Sequence, residues 1–204
     1  MVITSIVSLD RRRSRVLLDQ DLALVLYPGD LRQFHMEEGR ELTRDAYKAL
    51  VEQVLKPRAR ERVLKALQVS DKTRRELFSL LSREGYPEEV IEDAVGMAEG
   101  YRYVDDQAFG ERYVEAQASK KSRRRLICDM QKKGFDQELI QELLAVHTVD
   151  EESQIRGILE KKRIRPEQVK DKKEWGKLVG MLARKGYSYQ SISQVIGDMG
   201  SFFD

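Results

Sequence analysis

The sequence has very few of the residues that form covalent crosslinks, metal sites or histidine-based active sites. Its 204 residues include one cysteine, Cys128, so an intramolecular disulfide is excluded and a cysteine-based metal spacing is absent. The two histidines, His35 and His147, lie far apart in sequence and give little basis for a zinc site. We therefore predict no metal ligand and no cofactor.

Long hydrophobic runs and an export signal are also missing. No apolar segment approaches the roughly 20 residues that are needed to cross a bilayer. Residues 1–10 contain an apolar part with no basic region before it, which is a poor match to a signal peptide. Together with the single cysteine, this pattern favours a reducing compartment. We expect a cytoplasmic, monomeric protein without a membrane partner.

Motifs for catalysis are absent as well. There is no phosphate-binding loop, no nucleophile elbow and no histidine beside a candidate nucleophile. Asp105 and Asp106 resemble a carboxylate pair, but the start of a helix explains acidic residues there. Cys128 stands at a small position of the repeat described below, so we interpret it as a packed thiol. The sequence predicts no catalytic residue and no enzyme.

What the sequence does contain is one short pattern that occurs three times, around Gly85, Gly134 and Gly186. Basic residues precede each glycine, and cations favour the last turn of a helix because the helix dipole is negative there. Glycine readily adopts the left-handed conformation that ends many helices, and an aromatic residue follows it in each copy. Next comes a residue suited to starting a helix: Pro87, Asp136 or Ser188. The pattern predicts three helix–helix corners.

The segments around the three corners match position by position. Apolar residues recur at one helix face relative to each glycine. They are Leu77, Leu81, Ile91 and Val95, then Leu126, Met130, Ile140 and Leu144, then Leu178, Leu182, Ile192 and Ile196. A small residue stands six positions before each glycine (Ser79, Cys128 and Gly180), which predicts close helix–helix approach at that position.

The glycine spacings of 49 and 52 residues leave room for a third helix in each segment. We place these leading helices at residues 58–68, 105–120 and 150–162, with Asp105 and Asp150 as their expected N-caps in the last two. The second helices have Thr73, in a capping box with Glu76, and Ser122 as N-caps, whereas the third segment has Glu174 at that position. Three tandem three-helix repeats follow from this register.

The first 42 residues differ from the rest. β-branched and apolar runs at 2–9, 16–18 and 22–27 predict a small three-stranded antiparallel meander, with a turn at 19–21. We expect a short connector near Leu31, a helix that Thr43 caps, and a further helix that Pro57 opens.

The predicted fold class is mainly α: three tandem three-helix repeats in an elongated array after a β-meander. We expect an N-terminal extension at 1–42 and repeats at 43–100, 101–148 and 149–204.

Charge is distributed unevenly although the formal net charge is only +2. Residues 84–106 are acidic, and basic clusters follow. A solvated helix surface explains any one such cluster about as well as a binding surface does. Repetition on successive modules favours an interface with phosphates or an acidic protein surface. The candidate binding residues are Lys120, Lys121, Arg123, Arg124, Arg125, Lys132, Lys133, Lys161, Lys162, Arg163, Arg165, Lys172 and Lys173, with Lys170 beside the last two. Trp175, Tyr187 and Tyr189 are candidates for stacking on bases, although the repeat favours a core position for Tyr187.

The ordered set of motifs resembles the RecX family, regulators of the RecA recombinase. The resemblance spans about residues 43–200, and no single motif is specific to it. It rests on Thr73-x-x-Glu76-Leu77, Arg83-Glu84-Gly85-Tyr86, Tyr103-Val104-Asp105-Asp106-x-x-Phe109, Tyr113-Val114, Lys133-Gly134-Phe135, Leu182-Ala183-Arg184-Lys185-Gly186-Tyr187 and Ile192. Two residues depart from the family pattern: Ser122 stands where glycine is frequent, and Gly110 stands where alanine is frequent. We interpret Ser122 as a harmless cap and expect Gly110 to weaken its helix by about 1 kcal/mol.

The resemblance implies a modulator rather than an enzyme. RecX-like proteins consist of tandem three-helix repeats and bind within the groove of the RecA–DNA filament. They commonly restrain the recombinase and co-protease activities of RecA. The implied partners are therefore the RecA filament and, weakly or through the filament, single- or double-stranded DNA.

Two alternatives remain open at this point. One is a stand-alone DNA-binding protein with helix-turn-helix-like units, although Glu88, Glu89, Gln137 and Glu138 after the corners are poorly suited to entering a DNA groove. The other is a general helical scaffold for another protein.

Overall fold

The structure is a computed structural model that describes residues 1–19, 22–165 and 172–197. The chain forms two compact units, Met1–Asp106 and Gln107–Asp204. None of the helices that the structure describes is both long and apolar enough to cross a membrane.

The first unit begins with a three-stranded antiparallel sheet: β1 (Ile3–Ser8), β2 (Ser14–Leu18) and β3 (Ala23–Leu26), in the order β1-β2-β3. Val16 at the centre lies opposite Ile6 on one side and Leu24 on the other. One face is buried, as alternation in a half-buried sheet requires; its residues are Ile3, Val16, Leu18, Leu24 and Leu26. The predicted meander is confirmed, while Gln20 and Asp21 of the expected turn lie outside the described residues.

A short helix connects the sheet to the helical part of the unit. This helix, α1 (Pro28–Gln33), has proline at its start, where a missing N–H costs nothing. The buried Asp30 accepts a hydrogen bond from the Tyr27 amide at 2.8 Å. Its carboxylate also holds the Arg58 guanidinium in two hydrogen bonds of 2.9 Å each. The connector is thus tied to the helix that bears Arg58.

The next helix is longer than the sequence indicated. α2 (Arg44–Leu50) passes through a π-helical turn, Val51–Leu55, directly into α3 (Lys56–Val69). The predicted Thr43 cap is confirmed, since its hydroxyl accepts from the Ala46 amide at 3.2 Å. The prediction that Pro57 opens a separate helix is wrong. Proline lacks the N–H that would bond residue 53, and the wider turn before it accommodates that loss without a break.

Two further helices complete the first unit: α4 (Arg74–Arg83) and α5 (Glu88–Gly100). The predicted capping box is present, because the Thr73 hydroxyl accepts from the Glu76 amide at 3.0 Å and the Glu76 carboxylate accepts from the Thr73 amide at 3.1 Å. The buried stripes of α3, α4 and α5 share one core with the inner face of the sheet. The sheet is therefore stabilised by helices, which a sheet of this size requires.

The second unit contains six helices in the range the structure describes. They are α6 (Asp106–Gln117), α7 (Arg123–Lys133), α8 (Gln137–Val146), α9 (Glu151–Lys161), α10 (Lys172–Arg184) and α11 (Tyr189–Ile196). One apolar cluster joins α6, α7 and α8, and a second joins α9, α10 and α11. The predicted leading helices correspond to α3, α6 and α9, and the predicted caps at Ser122 and Asp150 are confirmed.

The three predicted corners are confirmed at the backbone level. Gly85, Gly134 and Gly186 have φ values of +85°, +85° and +91°. The aromatic residue after each glycine donates its amide hydrogen to a carbonyl five residues back, at 3.2, 3.2 and 3.3 Å. This bond satisfies a carbonyl at the helix end, and it requires the left-handed residue before it.

The prediction of close helix approach at the small positions is wrong. Ser79 and Cys128 are exposed, and Gly180 is half-buried. Each lies two residues from a buried leucine or methionine, which is about 200° around a helix and thus on the opposite face. Cys128 is therefore an exposed thiol rather than a packed one.

Gly110 has a packing role that the sequence did not reveal. A Cβ atom at this position would lie 2.5 Å from Leu143 Cδ1 and 3.5 Å from Phe135 Cε1. Gly110→Ala should therefore lower the free energy of unfolding by up to about 2 kcal/mol, because an overpacking cost of about 1–3 kcal/mol outweighs the gain of about 1 kcal/mol in helix propensity. Urea unfolding followed by circular dichroism measures this change. A more stable variant would show that the Leu143 side chain moves aside freely.

Candidate cationic interface

All thirteen predicted binding residues lie in the second unit, and the structure separates them into three kinds. Some are neutralised by carboxylates, some hold the fold together, and some are exposed without an ion pair. Lys170, which we grouped with Lys172 and Lys173, lies outside the described residues. Lys172 and Lys173 are exposed in the first turn of α10.

The acidic stretch in the first unit is matched by basic residues of the same unit. Arg62 pairs with Glu84 at 2.8 Å, and Arg60 pairs with Asp93 at 2.7 Å. Arg74 binds both Glu92 and Glu99. Acidic and basic segments that are separate in the sequence therefore pair with each other within this unit. Their alternation along the sequence does not mark an interface there.

Lys121 and Arg125 share one carboxylate. The Lys121 ammonium lies 2.9 Å and Arg125 Nε 3.1 Å from Asp129, and Lys121 also donates to the Tyr113 hydroxyl at 3.2 Å. Burial raises the pKa of the Asp129 carboxyl, but the hydrogen bond and charge of Lys121, together with Arg125, outweigh burial and hold that pKa below its ordinary value. Both cations are thus paired, although the single carboxylate offsets only one of the two positive charges.

Arg123 is a structural residue. Its guanidinium donates to the Leu144 carbonyl at 2.6 Å, at the carboxyl end of α8, where the helix dipole favours a cation. Its amide donates to the Glu151 carboxylate at 3.0 Å. The side chain and backbone of Arg123 therefore connect α7 to α8 and α9.

Glu151 is a residue whose role the sequence did not indicate. Besides the Arg123 amide, its carboxylate accepts from the Ser188 amide at 3.2 Å and from the Ser191 hydroxyl at 2.8 Å. It thereby satisfies the amino ends of α7 and α11 together. Asp106 accepts from the Arg74 amide at 3.0 Å in the same way. The sequence offered one signal for this role: an acidic residue follows each predicted cap of the last two leading helices, Asp106 after Asp105 and Glu151 after Asp150.

Ser122 and Tyr187 complete this polar network. The buried Ser122 hydroxyl caps α7 by accepting from the Arg125 amide at 3.3 Å, and it donates to the Lys185 carbonyl at 3.0 Å. The Tyr187 hydroxyl donates to Gln154 at 3.0 Å, and the Tyr187 side chain is buried as predicted. Ser122 is therefore more than a cap, since it joins the third corner to α7.

Lys133 stacks on rings, and Lys132 is exposed. The Lys133 ammonium lies 5.4 Å from the centre of the Phe109 ring and 5.8 Å from that of Tyr113, within cation–π range. Tyr189 is exposed and packs edge-on against the buried Trp175, with ring centres 6.5 Å apart. Of the three aromatic candidates for base stacking, Tyr189 alone presents a largely exposed ring.

Four of the candidate binding residues line two grooves in the second unit. Lys120 and Lys161 line the first groove, of about 680 Å³. Arg123 and Arg124 line the second, of about 1070 Å³, and Tyr187 borders both. Lys120, Arg124 and Lys161 are exposed and form no ion pair with any residue that the structure describes. We call these three residues the cationic rim.

The cations at the start of α7 do not serve helix stability. Arg123, Arg124 and Arg125 fill the first turn, where the helix dipole disfavours positive charge by about 0.3–1 kcal/mol per residue. Contacts with Leu144 and Asp129 account for the first and the last of the three. Nothing in the described contacts accounts for Arg124.

The basic segment after α9 is exposed throughout. Lys161 lies in the last turn of α9, and Lys162, Arg163 and Arg165 follow it. Arg163 adopts a left-handed backbone conformation, with φ of +55°, which a non-glycine residue adopts at a cost of about 1–2 kcal/mol. Its amide donates to the Glu160 carbonyl at 2.9 Å, so this residue ends α9 where a glycine would usually stand.

The comparisons with known proteins agree with the repeat pattern. The first, second and third three-helix domains of RecX match residues 59–96, 105–144 and 150–196. The chain belongs to the RecX family. It is 27% identical over 190 residues to regulatory protein RecX of Geobacillus kaustophilus (strain HTA426), covering 92% of this chain and 68% of that protein. It is 26% identical over 193 residues to regulatory protein RecX of Clostridium tetani (strain Massachusetts / E88), covering 93% and 89%.

Solved RecX structures share the fold. A crystal structure of regulatory protein RecX aligns with a TM-score of 0.59 at 21% identity, covering 96% of this chain and 98% of that one. RecX from Lactobacillus salivarius aligns with a TM-score of 0.59 at 20% identity, covering 72% and 97%. Membership of this RecX family supports a regulatory role for the chain.

Asp129→Asn should increase the affinity of the chain for a polyanion. The substitution removes the carboxylate that pairs with Lys121 and Arg125, so both cations become available and the local net charge rises by one. We expect dissociation constants for oligo(dT) to fall about 3- to 10-fold at low salt, and this gain to disappear at high salt because exposed charges are screened. Fluorescence anisotropy measures the change. Weaker binding would show that the Asp129 pairs position the cations productively.

The same substitution has a pH-dependent effect on stability. The pKa of Asp129 is lowered in the folded chain, so its contribution to stability is complete well above the ordinary value of 3.8 and is lost as the pH falls through the folded pKa. The stability difference between the original chain and Asp129→Asn should therefore shrink below about pH 4. Urea unfolding at several pH values tests this dependence.

Proposed function

We propose that this chain regulates the RecA recombinase by binding the RecA–DNA filament through the cationic rim of its second unit. Binding restrains ATP hydrolysis, strand exchange and co-protease activity. The observation that carries the proposal is the presence of Lys120, Arg124 and Lys161 around two adjoining grooves, exposed and without ion pairs in the described part of the chain. Membership of a family whose relatives are named regulatory protein RecX supports it.

A protein filament is a repeated target for a regulator. A filament presents the same surface again and again, and three helical repeats in series offer several weak contacts to successive subunits. Once one contact forms, the others bind at a high effective concentration, so modest electrostatic contacts add up. Each exposed cation contributes at most about 1 kcal/mol. Several such cations together provide enough binding free energy for a regulator that must also dissociate from the filament.

Binding to preformed filaments tests the proposal. The labelled chain is titrated with RecA assembled on oligo(dT) in a non-hydrolysable ATP analogue, and separately with oligo(dT) alone. We expect the filament to bind at least 10-fold more tightly than naked DNA. Equal affinity for the DNA with and without RecA would overturn the proposal.

A stand-alone DNA-binding function is the alternative. This function would require the helices after the corners, α5 and α8, to enter a DNA groove. The exposed residues at the start of these helices are Glu88, Glu89, Gln137 and Glu138. Acidic side chains at these positions repel phosphates. A sequence preference on duplex DNA in the absence of RecA would favour this alternative.

A further inference from the structure

A second cationic groove lies in the first unit, and none of its lining residues is among those that we predicted as binding residues. It has a volume of about 740 Å³ and is formed by the loop between β1 and β2, by strand β3, by one face of α3 and by the first corner. Its charged lining consists of six cations and three carboxylates: Arg11, Arg12, Arg13, Arg58, Arg62 and Lys65, with Asp10, Glu61 and Glu84.

Most of these cations are already paired. Asp10 holds Arg13 at 2.7 Å, Glu84 holds Arg62 at 2.8 Å, and Glu61 holds Lys65 at 2.6 Å. Asp30 binds Arg58 from outside the lining. Arg11 and Arg12 are exposed and form no ion pair among residues 1–19, 22–165 and 172–197. The groove therefore has a surplus of two guanidinium groups, both on the same loop.

That loop is held in one conformation by Asp10. Its carboxylate accepts from the Arg12 amide and the Arg13 amide at 2.8 Å each, and these bonds, the Arg12 amide first, lower the pKa of Asp10. The Ser8 hydroxyl donates to the Asp10 carbonyl at 3.0 Å. Asp10 is thus committed to the loop and does not compete for the two free arginines.

The opposite wall is also fixed. A Cβ atom on Gly85 would lie 2.3 Å from Val25 Cγ2, so the first corner packs directly on β3. Two tyrosine rings line the groove: Tyr27, beneath the Arg58 guanidinium at 4.3 Å, and Tyr86, whose pKa burial raises to about 12. Preformed walls lower the ordering cost of a ligand.

We infer that this groove binds the phosphate backbone of a short stretch of single-stranded nucleic acid, with phosphates on Arg11 and Arg12 and bases against the tyrosines. Guanidinium groups bind phosphate oxygens in pairs, and a basic groove with aromatic walls is the combination by which proteins hold single strands. The volume is that of a pocket for a small molecule, so it accommodates one or two nucleotides but no duplex. An acidic peptide would make no use of the rings.

This inference goes beyond the proposed function and does not depend on it, because it concerns DNA alone and the other unit. The test is anisotropy of fluorescein-labelled oligo(dT) with the full chain, over a range of salt concentrations and without RecA. Arg11→Ala/Arg12→Ala should weaken binding about 5- to 10-fold. It should also reduce the slope of log K against log salt by about 1.4, since each phosphate contact on a single strand contributes about 0.7.

The matched control is Arg32→Ala/Arg44→Ala, which removes the same charge from two exposed residues outside the groove. Arg11→Lys/Arg12→Lys should retain most of the slope. An unchanged slope in the first variant, or an equal loss in the control, overturns the inference. Tighter binding of a fluorescein-labelled poly-glutamate peptide than of oligo(dT) would also overturn the inference. Full competition by a mononucleotide at equal phosphate concentration would do the same.

Discussion

Reversal of the cationic rim, Lys120→Glu/Arg124→Glu/Lys161→Glu, should weaken binding to the RecA–DNA filament by roughly 10- to 150-fold. Each exposed ion pair contributes about 0.5–1 kcal/mol, so three contacts together account for about 1.5–3 kcal/mol. The loss should be greatest at low salt, because screening removes the same contribution from the original chain. The measurement is anisotropy of the labelled chain on preformed filaments. The rim residues make no ion pair in the described chain, so the thermal unfolding curve should be retained.

The choice of these three residues depends on the structure. Reversing Arg123, Arg124 and Arg125 together, as the sequence cluster suggests, would also break the Arg123 bond to Leu144 and the Arg125 pair with Asp129. Lys48→Glu/Arg75→Glu/Lys177→Glu is the matched control, with the same change of charge on exposed helix residues that line neither groove. If the control loses as much affinity as the rim variant, total charge rather than the rim governs binding.

Gly186→Ala should lower the free energy of unfolding of the second unit by about 2–4 kcal/mol. Two effects add here. The φ of +91° costs an alanine about 1–2 kcal/mol, and its Cβ atom would lie 2.6 Å from the Ser122 hydroxyl oxygen. Ser122 is itself bound to the Lys185 carbonyl and cannot move without losing that bond. Urea unfolding followed by circular dichroism measures the change.

A second substitution separates the two effects. Ser122→Gly alone should destabilise the chain, because it removes the cap of α7 and the bond to the Lys185 carbonyl. The double variant should lose about 1 kcal/mol less than the sum of the two single losses, because the clash disappears while the backbone strain remains. Gly176→Ala is the control, because Gly176 lies in α10 with nothing within 4 Å of its Cβ position. It should stabilise the chain by about 0.5–1 kcal/mol. Simple additivity of the two single losses in the double variant would show that the corner is sensitive to φ alone.

The helices and corners were predictable because their signals are local. The recurrence of apolar residues at one helix face, the glycine with an aromatic behind it, and the caps at Thr73, Ser122 and Asp150 each depend on neighbours within a few positions. The strands were predictable for the same reason. The continuity of α2 and α3 through Pro57 was not, since proline is compatible both with a new helix and with a wider turn inside one.

The charged residues were harder to interpret because pairing depends on contacts distant in sequence. Asp129 neutralises Lys121 from eight residues away, and Arg74 reaches Glu99 from 25 residues away. A run of basic residues in the sequence therefore suggests more unpaired positive charge than the folded chain exposes. The sequence grouped Arg123, Arg124 and Arg125 in one basic cluster, but only the tertiary contacts distinguish Arg123, which holds the fold, from Arg124, which is exposed.

The groove in the first unit shows the opposite case. Its arginines lie on a β-turn loop and on α3, which are separated by about 45 residues, so no sequence window contains them together. Arg11, Arg12 and Arg13 lie between the predicted strand runs at 2–9 and 16–18, where the sequence alone gives no sign of a groove. Their position beside Arg58 and Arg62 follows from the packing of the sheet on α3, which is a tertiary property.

ATP hydrolysis by RecA filaments on single-stranded DNA, with the purified chain titrated in, tests most directly whether this chain acts on RecA. We expect the rate to fall in a saturable manner at substoichiometric or equal amounts of the chain, and the rim variant to require at least 10 times more. An unchanged rate across the titration, with filaments that are otherwise active, would contradict the account.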